Sequence, residues 1–192
     1  MLTNMEYTHT FELQPCFKIC VKFYNNVTIG DNSGGRNNQT INKQNNGVKV
    51  YFNVDLVPGI FTILTAANKT ISCYNSDSDE FKLKTNSIAS EFLYNLSPFT
   101  SITSALKAFG TDAKTTKVGL IHFQRNGNDS SSYNKNNSLD GTSISIAEVF
   151  DFSNDQERYN RIQKYCKLSN EELSLSTIDE AYALHLAMRD VK

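Results

Sequence analysis

The chain contains little that would advertise catalysis or a membrane. No apolar run approaches the roughly 18–20 residues of a helical membrane span. The 19 basic and 20 acidic residues leave a net charge of −1. No strong basic field therefore points to nucleic acid, which leaves only local patches for that role. The three histidines, His9, His122 and His185, are scattered. Cys16, Cys20, Cys73 and Cys166 form no CxxC pair and no disulfide framework, so inert free thiols are expected rather than a metal centre. There is no GxSxG elbow, no glycine-rich phosphate loop followed by Lys-Ser/Thr, and no HExxH. No enzyme, metal, cofactor or small-molecule substrate is expected. Residues Met1 to Thr10 are polar and lack the apolar centre of a signal peptide, so the expectation is a soluble, intracellular protein.

What is present is a layered pattern of strands and helices. Phe17, Ile19, Val21 and Phe23 alternate with Lys18, Cys20, Lys22 and Tyr24, and Val48 to Leu56 alternates in the same way, which predicts two half-buried strands. Val118 to Phe123 reads as a more fully buried strand, and Phe11 and Leu13 as a short one ending at Pro15. Between the first two strands, an Asn- and Gly-rich stretch over about 25–47 holds few core residues, and a similar one covers about 125–141. Both read as flexible insertions in a single domain spanning 1–192.

Helical spacing is predicted from Ile60 through Ile63, Leu64, Ala67, Ile71 and Tyr74. Ser87 is placed to cap a helix ending at Ser97-Pro98, and Thr100 or Ser101 to cap one closed by Gly110. Asp155 starts a polar helix in which Arg158, Arg161, Lys164 and Lys167 recur every third residue; the set could touch phosphates, but an ordinary solvated face is the preferred reading. Ser169 with Glu172 three residues on has capping-box spacing. Strands mixed with helices in this order indicate an α/β class: a mixed sheet flanked by helices.

The most informative stretch runs from about Leu173 to Val191. Read as one helix at 100° per residue, it is apolar on two faces. Leu173, Thr177, Ala181, Leu184, Met188 and Val191 share one sector; Leu175, Ile178, Tyr182 and Leu186 share another. His185 and Arg189 lie beside them, and Asp179, Glu180 and Asp190 fill the rest. One stripe suffices to dock a helix on its own core, so the second is either buried as well or offered to a partner. Lys69, Lys82 and Lys84, which flank a connection between two predicted helices, are the candidates for phosphate contact.

Several segments together resemble a known family. Phe61-Thr-Ile-Leu-Thr-Ala-Ala-Asn-Lys69 is similar to the central helix of the PRPK-binding protein family, the small accessory subunit of the EKC/KEOPS complex. Lys82-Leu-Lys84, Glu91, Asn95-Leu-Ser-Pro98, Ser101 to Gly110, and Lys167-Leu-Ser169 with the helix after it continue the likeness. It covers about Val48 to Phe123 and Asn160 to the end, with the first strands fitting in pattern only. The chain departs from the family at Asn86, where an arginine is common, and at Cys166, where animal relatives have tyrosine.

The resemblance implies a non-catalytic subunit that docks on the N-terminal lobe of the small PRPK-like kinase/ATPase. The complex makes N6-threonylcarbamoyladenosine at position 37 of tRNA, and archaeal relatives of this subunit bind tRNA. It implies a cytoplasmic and nuclear location and no membrane. On this reading the kinase meets Leu175, Ile178, Tyr182, His185, Leu186 and Arg189, with Tyr182 as the central anchor. The smaller Thr177 and Ala181 assign the Leu173 stripe to the core instead. Any tRNA would meet Asn68, Lys69, Lys82, Lys84 and Asn95. The alternatives are a stand-alone tRNA-binding protein and a generic protein-interaction domain.

Overall fold

The computed structural model describes residues 6–28, 47–75, 82–125 and 140–191. The two expected insertions, 25–47 and 125–141, lie largely outside the described residues. The chain divides into two compact units. One draws on Met1–Asn53 and Thr111–Val149, the other on Val54–Gly110 and Phe150–Lys192.

The first unit is built on a five-stranded sheet. Its strands are β1 (Glu6–Phe11), β2 (Gln14–Asn25), β3 (Gly47–Asn53), β4 (Val118–Arg125) and β5 (Thr142–Ile144), followed by a one-turn helix α4 (Ile146–Val149). The order is β1-β2-β4-β3, and β5 pairs with the end of β2 beyond the reach of β1. Every described pairing is antiparallel, which narrows the mixed sheet expected from the sequence. Phe17, Ile19, Val21 and Phe23 are all buried, as the alternation in β2 predicts, but Cys20 on the opposite face is buried as well. The central strand β4 is buried almost throughout, as a strand with neighbours on both sides should be. Each such apolar side chain contributes about 1.5–3 kcal/mol by leaving water. Gly119 has to be glycine. Its cross-strand partners are Phe23 and Phe52, whose rings meet edge to face at 6.4 Å, and a Cβ there would run into the Phe52 ring.

The second unit is helical: α1 (Ile60–Asn75), α2 (Ile88–Asn95), α3 (Ile102–Phe109), α5 (Gln156–Cys166), α6 (Asn170–Leu175) and α7 (Ile178–Met188). Ser87, Ser101, Asp155 and Ser169 cap helices as their positions predict. Gly110 ends α3 through its N–H to the Leu106 carbonyl, but in extended rather than left-handed backbone (φ −68°). The polar helix α5 differs from expectation at Arg158, which is buried rather than solvated. Its guanidinium donates to the carbonyls of Val54, Asp55 and Val57 at 3.0–3.2 Å and lies 5.0 Å from the Phe152 ring centre. It ties together three carbonyls of the 54–57 turn, of which Val54's also accepts the Val57 N–H at 2.9 Å. Arg161, Lys164 and Lys167 remain exposed.

Candidate functional site

The C-terminal stretch is not one helix. A second capping box interrupts it: Thr177 Oγ1 accepts from the Glu180 N–H, and the Glu180 carboxylate accepts from the Thr177 N–H at 2.9 Å. Helix α6 stops at Leu175, and α7 starts in a new phase at Ile178.

That break changes which face is covered. Tyr182 and Leu186 are wholly buried and Ile178 is 7% exposed, so three of the four members of the stripe assigned to the partner lie in the core of their own unit. Leu175, on α6, is 88% exposed. In the other stripe Ala181 is buried, but Leu184 is 58%, Met188 56% and Val191 64% exposed. Leu184, Ala187 and Met188 fall within an arc of about 100° on α7, and all three are exposed. The outward apolar face is therefore that of Leu184 and Met188.

Polar anchors explain the orientation. The Tyr182 hydroxyl donates to the Leu96 carbonyl at 3.0 Å. Burial holds that phenol well above its ordinary pKa, so it stays a neutral donor. Arg189 is not a surface contact. Its guanidinium donates to the carbonyls of Tyr94 and Ser97 at 2.9 Å and to Asn95 Oδ1 at 2.7 Å, and lies 4.1 Å from the Tyr94 ring centre. His185 Nε2 meets Glu172 Oε1 at 2.6 Å and so ties α7 to α6. That bond, with the Ser169 N–H, holds the Glu172 carboxyl down to about 2.

Helix α7 lies beside α1, and the two run in the same direction. Gly59 precedes α1 and has no side chain to cap it. The Asp179 carboxylate does so instead, accepting from the N–H groups of Phe61 at 2.9 Å and Thr62 at 2.8 Å. A Cβ on Gly59 would collide with that carboxylate. At the other end Lys69 Nζ donates to the Leu186 carbonyl at 2.6 Å. Phe61, whose N–H Asp179 caps, is half exposed.

The lysine candidates divide in the same way. Lys69 and Lys84 both bind the Asp190 carboxylate, at 2.8 Å and 2.6 Å. Asn95 is buried, its amide donating to Thr70 Oγ1 at 3.0 Å, which withdraws it from any base edge. Asn68 and Lys82 are exposed. Among the described residues no group of three or more His, Cys, Asp or Glu is arranged to hold a metal ion, and no helix is long and apolar enough to cross a membrane.

An outward apolar helix face beside a lysine cluster is the surface of a binding module. The family comparison gives that class a definite form: the model for kinase binding protein CGI-121 matches residues 24–190, and the chain belongs to that family. Among curated proteins it is similar to the EKC/KEOPS complex subunit TPRKB of Danio rerio. The two are 27% identical over 139 residues, covering 72% of this chain and 75% of that protein.

Proposed function

We propose that this chain is a non-catalytic subunit of a KEOPS-type complex that binds the complex's small PRPK-like kinase through the outward face of α7. In that role it supports N6-threonylcarbamoyladenosine modification of tRNA at position 37, in the cytoplasm and nucleus. One observation carries the docking reading: Leu184 and Met188 are exposed on a helix whose other face is fully committed to its own unit. Exposed leucine and methionine on one arc leave water when a groove covers them, and this favours the complex. The family supplies the kind of partner. The name of the zebrafish relative supplies the complex.

The test is Leu184→Glu with Met188→Glu, assayed by co-purification with the kinase subunit. The expected result is loss of binding by at least about a hundredfold, as when two interface anchors are replaced by desolvated charges, with cooperative unfolding retained. Undiminished binding by the folded variant would defeat the proposal.

Recruitment of tRNA by the same chain is a second reading, favoured by the exposure of Lys82 and Lys84 on one connection. Reversing both charges should weaken tRNA binding and flatten its salt dependence by about one unit of slope for each phosphate no longer neutralised. Unchanged affinity would remove that surface.

A further inference from the structure

The lysines also pose a question that the docking face does not answer. Asp190, in the turn after α7, faces a nest of three cations. Its Oδ2 meets Lys69 Nζ at 2.8 Å and Arg189 Nη2 at 3.0 Å; its Oδ1 meets Lys84 Nζ at 2.6 Å and Arg189 Nε at 3.4 Å. Each cation has a second hold that does not involve Asp190. Lys69 donates to the Leu186 carbonyl, and Arg189 to the Tyr94 and Ser97 carbonyls and to Asn95. Lys84 lies 5.6 Å from the Tyr94 ring centre. The nest is thus fixed by the fold and does not depend on the carboxylate within it. Glu91, another acid near these lysines, spends its carboxylate on the Thr85 N–H and hydroxyl, at 2.8 Å and 2.9 Å. Among the described residues, cations exceed acids here even with Asp190 in place. Two oxygens, each gripped by two N–H donors, are also how a phosphate's non-bridging oxygens are held.

We infer that the Lys69–Lys84–Arg189 nest is a phosphate-binding site in which Asp190 is a built-in competitor. Phosphate entry and the Asp190 contact exclude one another, so the site opens when the Asp190 side chain swings away while Arg189 keeps its hold on the Tyr94 and Ser97 carbonyls. Asp190 follows directly on the helix whose outward face is assigned to the partner. A partner that draws the Asp190 carboxylate out of the nest would strengthen phosphate binding, and phosphate would strengthen partner binding by the same factor. The ligand's chemistry is a phosphate group. Its source is either free phosphate or the backbone of an RNA, and the RNA case rests on the tRNA reading above.

The test compares wild type with Asp190→Asn in titrations with inorganic phosphate and with a tRNA transcript at fixed ionic strength. Asp190→Asn should bind inorganic phosphate about fivefold more tightly, the upper scale of one competing surface ion pair. Adding Lys69→Met and Lys84→Met should abolish the gain. If phosphate binding tightens while tRNA binding does not, the nest stands and the RNA source is rejected. If wild type and Asp190→Asn bind tRNA equally and neither binds phosphate, tRNA recruitment stands and the nest fails. The wild type gives an independent readout in case Asp190→Asn does not fold. Titrated phosphate should move the NMR signals of the Asp190 carboxyl and the Lys69 and Lys84 ammonium groups together, with one binding constant. An Asp190 signal that stays still while the lysines respond would overturn the competition.

Discussion

Helix α7 carries two apolar faces with opposite fates. Ile178, Tyr182 and Leu186 are buried; Leu184 and Met188 stay in water. Hydrophobicity does not distinguish them, since a leucine and a methionine are as ready for a core as an isoleucine and a tyrosine. The difference lies in polar anchors. The inward face brings the Tyr182 hydroxyl to the Leu96 carbonyl and leads into Arg189, whose guanidinium reaches two more carbonyls of the same turn. Those carbonyls lie at the end of α2, where a helix leaves acceptors without partners of its own. Turning the outward face inward would take these donors from the Leu96 and Ser97 carbonyls and leave Tyr94's with the Ser97 N–H alone. The fold therefore commits the face that settles its hydrogen bonds and leaves out the face that has only area to offer.

The largest effect should come from the inward face. Tyr182→Ala should cost about 3–5 kcal/mol in denaturant-induced unfolding, from lost ring burial and the cavity it leaves. The Leu96 carbonyl would lose its partner as well. For the same reason Ile178→Glu with Tyr182→Glu should abolish the cooperative transition. If either variant kept near-native stability, the division between the faces would be wrong. Next comes Arg189→Met, at about 3 kcal/mol, the scale for losing buried hydrogen bonds to a charged donor. Asp179→Ala should cost about 1–2 kcal/mol as an N-cap loss. It should also loosen α1 selectively, which hydrogen exchange would register as faster exchange of the Phe61 and Thr62 amides.

Much of this is legible in the sequence. The strand alternation, the caps at Ser87, Ser101, Asp155 and Ser169, and the family resemblance all lead to the right elements. The choice of outward face does not follow from it, and the reason is local. Thr177-Ile-Asp-Glu180 repeats the capping signature of Ser169-Asn-Glu-Glu172, but it sits inside an apolar pattern that counts smoothly at 3.6 residues per turn. Counting through it joins Leu175 to a stripe on another helix. The roles of Arg158, Arg189 and Asn95 are not legible at all. Each satisfies groups contributed by distant segments, and no local pattern encodes those meetings. The end of α5 is hidden for a different reason: Lys167, not glycine, takes the left-handed conformation there (φ 60°).

A smaller effect should attach to the joint between α6 and α7. The Glu172 carboxyl lies below its unfolded value of 4.5, at about 2. A depressed carboxyl contributes stability that is complete above the unfolded value and is lost as pH falls through the folded one. Acid titration of stability should therefore show a decline between roughly pH 4.5 and 2 that is shallower in Glu172→Gln. Equal slopes in the two proteins would mean that His185 and Glu172 do not hold the joint.

The smallest effect on stability should come from the outward face, and Leu175 sharpens what that face is. Leu184→Glu with Met188→Glu should change unfolding free energy by no more than about 0.5 kcal/mol, as expected of substitutions outside the core. Leu175→Ser should be equally silent, because its side chain is 88% exposed. Their effects on the kinase should nevertheless differ. Leu184 and Met188 share one arc of one helix, whereas Leu175 sits before the Ser176–Thr177 break, at the end of a different helix. A groove matched to α7 would not reach Leu175 with the same register, so Leu175→Ser should weaken binding much less than the α7 pair. Should Leu175→Ser prove the more damaging, the partner reads the α6–α7 corner rather than the α7 face. The docking surface would then centre on the break that the second capping box creates.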